Sequence, residues 1–113
     1  MHEMGIAIQI ADIVAQSVPP DDAVRIRSVR LRLGKLAAVV PESLRQCFAV
    51  VARGTRVEGA LLLISEVGVS VACRDCDAQS DIERLPFACA TCGSGNVEIV
   101  AGREMIVESV EVD

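Results

Sequence analysis

Residues 73–92 read CRDCDAQSDIERLPFACATC, and this stretch decides what kind of molecule the chain can form. It opens on Cys73-Arg74-Asp75-Cys76 and closes, after a twelve-residue gap, on Cys89-Ala90-Thr91-Cys92. A two-residue spacer lets each pair turn both sulfurs towards one point, so two pairs supply the corners of a tetrahedron around one zinc ion. Gly93 and Ser94-Gly95 provide the tight backbone that follows the second knuckle. Four thiolates fill the coordination of a divalent cation, which makes the expected site structural rather than catalytic. An iron–sulfur centre also uses four thiolates and stays open on spacing alone. A thioredoxin-like dithiol needs one pair inside a βαβ pattern, and neither condition is met here. The fifth cysteine, Cys47, falls on the apolar stripe of an expected helix and reads as a small buried hydrophobe.

Working outward, Gly68 to Ala72 reads as a strand feeding the first pair, and short strands follow the second pair around Val97 to Val100. Ile106 to Val112 forms a closing strand. Upstream, Glu3 to Ser17 has helical period, with Ile6, Ile10, Ile13 and Val14 on one stripe and Pro19-Pro20 as the stop. Val24 to Leu33 alternates arginines with aliphatics and skips a beat at Ser28-Val29, which predicts a strand with a bulge. Arg25, Arg27, Arg30 and Arg32 then line a solvated face or a charge-protected edge. Pro41 starts a second helix with Leu44, Cys47, Phe48 and Val51 inward, ending near Gly54. Ala60 to Val67 fits a buried strand. The expected fold is α+β: two helices packed on a small mixed sheet, with a zinc-ribbon-like module inserted at residues 69–100 between 1–68 and 101–113.

Composition narrows the function. Apolar residues make up 51% of the 113 and aromatics 2%, so the core is aliphatic and a chain this short gains from a metal staple. No apolar run approaches the ~20 residues that span a bilayer, and no membrane insertion is expected. Glu3 stands where a secretory signal would carry positive charge, which makes the reducing cytoplasm the expected compartment. Eight of eleven basic residues lie between Arg25 and Arg56, whereas the cysteine half carries eleven acids against Arg74, Arg84 and Arg103. That balance, and the absence of Tyr and Trp as stacking platforms, speak against nucleic acid. One histidine, at position 2, gives no nucleophile, base and oxyanion set.

His2 by itself reads as part of a fraying terminus. Its placement nevertheless permits a specific chemistry. The α-amine of Met1, the His2 amide nitrogen and the imidazole Nδ1 can form two fused chelate rings of the square-planar kind that Ni(II) and Cu(II) favour. The Glu3 amide, a nearby side chain or water can fill the fourth position. Bulky His2 predicts retention of Met1.

Met1-His2-Glu3, Val40-Pro41-Glu42-Ser43-Leu44, Arg53-Gly54-Thr55 with Glu58-Gly59, the two Cys-x-x-Cys pairs and the ending Gly102-Arg103-Glu104-Met105-Ile106-Val107-Glu108-Ser109-Val110-Glu111-Val112 occur in that order. Together they resemble the HypA/HybF family, nickel metallochaperones that mature [NiFe] hydrogenase. The resemblance implies a nickel-binding part, residues 1–68 and 101–113, using Met1, His2 and Glu3, and a zinc-binding part, 69–100, using Cys73, Cys76, Cys89 and Cys92. Zn2+ would be resident and Ni2+ the cargo. It further implies a GTPase of the same pathway and the hydrogenase large-subunit precursor as partners, with urease as a second client in some members. Where relatives bring an acid from the loop before the second helix to the metal, this chain has Val40 and Pro41, with Glu42 as the nearest acid. Glu3 would then help orient the partner or precursor. A zinc-ribbon interaction or nucleic-acid module without nickel, and a thiol oxidoreductase, are the competing classes.

Overall fold

The computed structural model describes residues 2–20 and 24–113. In chain order it contains α1 (Glu3–Ser17), β1 (Ile26–Gly34), a 3-10 turn (Lys35–Ala37), α2 (Pro41–Ala52), β2 (Leu61–Val67), β3 (Val69–Cys73), β4 (Gln79–Ile82), β5 (Val97–Ala101) and β6 (Met105–Val112). The strands form two three-stranded sheets, ordered β2-β1-β6 and β4-β3-β5. The chain divides into two compact units. One comprises Met1–Arg32, Val39–Ser65 and Ile106–Asp113, the other Leu33–Ala38 and Glu66–Met105.

The first unit is the α+β body. Its core joins Ala7, Ile10, Ala11, Val14 and Val18 to Leu44, Phe48 and Ala52 of α2 and to Ile26, Val29 and Leu31 of β1. Each large side chain buried there contributes roughly 1.5–3 kcal/mol. The inward stripe of α1 runs through Ala7, Ile10, Ala11 and Val14, and Ile13 is half exposed at 51%. The expected stripe thus turns by one position, because alanines let the helices approach and Ile13 is displaced outward. Val18-Pro19 ends α1, and Arg56 completes it. The Arg56 guanidinium donates to the carbonyls of Ala15, Val18 and Pro19 at 2.9, 2.8 and 2.6 Å, serving acceptors that a helix end leaves open.

Of the two expected settings for the β1 arginines the structure shows the solvated face, with β1 the central strand of its sheet and the Arg27, Arg30 and Arg32 side chains exposed. These arginines face acids on and just after β6: Arg27 pairs with Asp113, Arg30 with Glu111 and Arg32 with Glu108, at 3.6–3.8 Å. Those pairs run in opposite chain order, as an antiparallel neighbour requires. At Ser28-Val29 two successive residues are buried, the skipped beat of the sequence pattern. β2 was expected to be buried but is an edge strand, with Leu61 at 62% and Leu63 at 38% exposure. A uniformly apolar run gives no period, and here only Leu62 and Ile64 turn inward.

The second unit is a ribbon. β3 alternates Val69, Val71 and Cys73 inward and pairs antiparallel with β4 (Val69 opposite Ile82) and β5 (Cys73 opposite Val97). β4 is not foreseeable from its sequence, Gln79-Ser80-Asp81-Ile82, which lacks a hydrophobic face.

Candidate metal centre

β3 ends on Cys73, so the strand delivers the first sulfur to a tight turn. The Asp77 amide donates to the Cys73 carbonyl at 3.0 Å and the Cys73 amide donates to the Ala78 carbonyl at 2.8 Å. Sixteen residues later the same pattern recurs: the Gly93 amide donates to the Cys89 carbonyl and the Cys89 amide to the Ser94 carbonyl, both at 2.9 Å. Each turn needs one left-handed residue, Asp77 (φ 63°) in the first and Gly93 (φ 77°) in the second. Asparagine, aspartate and glycine are the residues that tolerate that region.

The two knuckles bring all four sulfurs within 4.8 Å of one another. Cys73 Sγ lies 3.6 Å from Cys92 Sγ, and Cys76 Sγ lies 3.5 Å from Cys89 Sγ. Zinc–sulfur bonds of about 2.3 Å set tetrahedral edges of about 3.8 Å, so the cluster has the dimensions of one mononuclear centre. A disulfide would bring two sulfurs to about 2.05 Å, and all five cysteines are free thiols. A multi-iron cluster would hold its cysteines on separate irons, further apart.

The surroundings fit a cation. Amides of Asp75 (3.4 Å, to Cys73) and of Thr91 and Cys92 (3.4 and 3.5 Å, to Cys89) point at sulfur. The Cys92 amide draws the Cys89 thiol down, burial opposes it, and the Thr91 amide adds to the fall, leaving it at about 6. At Cys76 the Ala78 amide also lowers, but the neighbouring Cys89 thiol and burial outweigh it and push it up to about 12. Four crowded thiols cannot all ionise unaided, and a divalent cation supplies the missing charge. Cys73 and Cys89 are buried, whereas Cys76 and Cys92 face solvent.

Four residues around the centre escaped sequence reading. Ser80, buried on β4, accepts the Ala90 amide at 2.9 Å and places its hydroxyl 4.0 Å from Cys89 Sγ. Asp75 accepts from the Ser94 hydroxyl and, at 3.2 Å, from the Asn96 amide group, so one carboxylate spans both knuckles. The sixteen-residue repeat of the turns was the signal that could have pointed to Asp75 and Ser94.

At the other expected site, Met1 lies outside the described residues. His2 is exposed and caps α1, its carbonyl accepting the Ile6 amide at 2.8 Å. Glu3 is buried at 6% exposure, and its carboxylate accepts the Val40 amide at 3.3 Å. That inward placement is at odds with a Glu3 side chain orienting a partner. The Glu42 carboxylate pairs with Arg45. Among the described residues, the four cysteines form the one cluster of metal-ligating side chains.

Over residues 1–112 the sequence matches the family described as "Hydrogenase/urease nickel incorporation, metallochaperone, hypA". A curated relative, hydrogenase maturation factor HypA of Desulfatibacillum aliphaticivorans, is 44% identical over 99% of this chain and 87% of its own length. The solution structure of a HypA protein superposes with a TM-score of 0.73 at 25% identity, covering 98% of this chain and 95% of that one. The solution structure of the nickel metallochaperone HypA from Helicobacter pylori gives 0.64 at 26% identity, covering 98% and 97%.

Proposed function

Because the chain belongs to the HypA family of nickel-incorporation metallochaperones, we propose that it carries Ni(II) at its amino terminus and surrenders it during maturation of [NiFe] hydrogenase. Urease is the second client that the family description names. The protein acts as a carrier and not as a catalyst. Its partners are the GTPase of the same maturation pathway and the precursor of the hydrogenase large subunit, met in the cytoplasm.

The nickel donors in this reading are the Met1 α-amine, the His2 amide nitrogen and the His2 Nδ1, with the Glu3 amide available as a fourth. The observation that carries it is the placement of His2. It is exposed and stands ahead of the hydrogen-bond ladder of α1, which starts where Ile6 donates to the His2 carbonyl. A helix has no internal acceptor for its first amides, so replacing an amide proton by metal there breaks no rung. The positive end of a helix repels a cation, and the adjacent carboxylate of Glu3, together with any ionised amide, offsets that repulsion. Few side-chain ligands and open access suit an ion that must be released. Residues 1–68 and 101–113 do this work, while 69–100 hold structural zinc through Cys73, Cys76, Cys89 and Cys92.

The test is a nickel titration of the zinc-loaded native chain, of His2→Ala, and of a chain with residues added before Met1. Native protein is expected to take up nickel with the absorption of a square-planar nitrogen site, and both alterations to abolish it. Equal binding by all three overturns the terminal site.

A further inference from the structure

β6 (Met105–Val112) stands at the end of the order β2-β1-β6, and among the described residues no strand lies on its other side. An edge strand presents unpaired amides and carbonyls to solvent. The Asp113 amide donates to the Arg25 carbonyl at 3.0 Å and so points at β1. Successive amides along a strand point to opposite sides, which turns the Val112 amide to the open side. Residues 106–112 read IVESVEV, with no proline to blunt the edge, and Val107 and Val110 are the side chains that pack against the core.

Beneath this edge lies an open groove of about 410 Å³, lined by Ser17, Val18 and Pro19 at the end of α1 and by Val107, Val110 and Val112. Both walls belong to the first unit. On the outer face the carboxylates of Glu108, Glu111 and Asp113 meet the β1 arginines on one flank and remain 45–57% exposed. β1 shows which strand β6 accepts: Ile26, Val29 and Leu31 go to the core, and Arg27, Arg30 and Arg32 answer the acids. The open side repeats both demands, apolar below and basic above. A second copy of the chain does not meet them. Two β6 edges paired about a two-fold axis set carboxylate against carboxylate, which destabilises a sheet. The other edge strands, β2, β4 and β5, carry no basic residue, and β1 is already central.

We infer that the free edge of β6 docks an extended segment of another protein as a fourth strand, its aliphatic side chains in the groove and its basic side chains beside Glu108 and Glu111. In strand addition of this kind main-chain hydrogen bonds supply affinity and alternating side chains supply selectivity. The inference is independent of the terminal nickel site, because no residue of that site takes part.

The probe is a blocked octapeptide of alternating valine and arginine, titrated into the zinc-loaded full chain. One control replaces its arginines by glutamate, and another gathers the same valines and arginines into two blocks. Binding is read by fluorescence anisotropy and by amide hydrogen exchange. The alternating arginine peptide is expected to bind and to slow exchange of the Val112 amide, and both controls to bind about tenfold more weakly. Glu108→Gln/Glu111→Gln should weaken the peptide about fivefold and keep the fold, since exposed ion pairs add little to stability. Val112→Pro removes the outward amide and should also weaken the peptide about fivefold. Should that variant lose its fold, the glutamine pair decides. No binding by the alternating peptide, equal binding by the block peptide, native affinity in the glutamine pair, or protection confined to residues outside 106–112 overturns the inference. A dimer in sedimentation that the peptide disperses would assign the edge to a second copy and overturn it as well.

Discussion

Asp75 and Ser80 show how single polar side chains hold a metal centre without touching the metal. The Ser94 hydroxyl, and after it the Asn96 amide, hold the Asp75 carboxyl below its ordinary value of 3.8. A lowered value means the fold favours the carboxylate, so this contribution is present at neutral pH and fades as pH falls through and below that range. Asp75→Asn should therefore hasten zinc extraction by a chelator at neutral pH, measured as the rate of metal release. Ser80→Ala removes the acceptor of the Ala90 amide from a part-buried hydrogen bond, which costs about 0.5–1.5 kcal/mol. A lower melting temperature of the zinc-loaded chain measures that cost. The four cysteines were legible because their spacing is itself the chemistry. Asp75, Ser80, Ser94 and Asn96 were not, since one polar residue in a loop suits many environments and only the folded turns pair it.

Helix α2 was legible from Pro41 and its inward stripe, and Phe48 is the largest of its buried side chains. Phe48→Ala should cost about 3–5 kcal/mol, read as a shift in denaturant midpoint, because no second aromatic stands in this core to fill the cavity. Phe48→Leu should cost less than about 1.5 kcal/mol. Helix α1 was legible in extent but not in rotation. Its period is blurred because Ile6, Ile8, Ile10 and Ile13 outnumber the positions one face can bury, and packing settles the choice in favour of Ala7 and Ala11. Its ending is likewise non-local. No basic residue occupies the last turn, and Arg56 supplies the charge from elsewhere in the sequence. Arg56→Ala should lower stability by about 1 kcal/mol, and lysine should restore only part of it, since one ammonium cannot reproduce the planar fork. Strand β2 was misread as buried because an unbroken aliphatic run does not say which of its faces is covered.

The α+β character of the molecule and its cysteine module were visible at the outset, because helical period, alternation and metal-ligand spacing are local signals. The order of strands was not, since placing β1 between β2 and β6 depends on partners far along the chain. The arginines of β1 gained their meaning only with that neighbour: they answer acids on and just after β6. Removing zinc should act unevenly. With four thiols to reprotonate, mild acid plus a chelator should strip the ion and collapse the signals of residues 66–105 in an amide NMR spectrum, while those of α1 and α2 persist. A uniform loss of dispersion would refute that expectation. The cap supplied by Arg56 has a consequence for biosynthesis. Translation makes residues 3–17 well before the guanidinium that finishes their helix, and the strand completing the β2-β1-β6 sheet comes last of all the elements. Until β6 is made, the β1 edge that it covers has no partner strand, so the three-stranded sheet closes only after residues 105–112 have emerged.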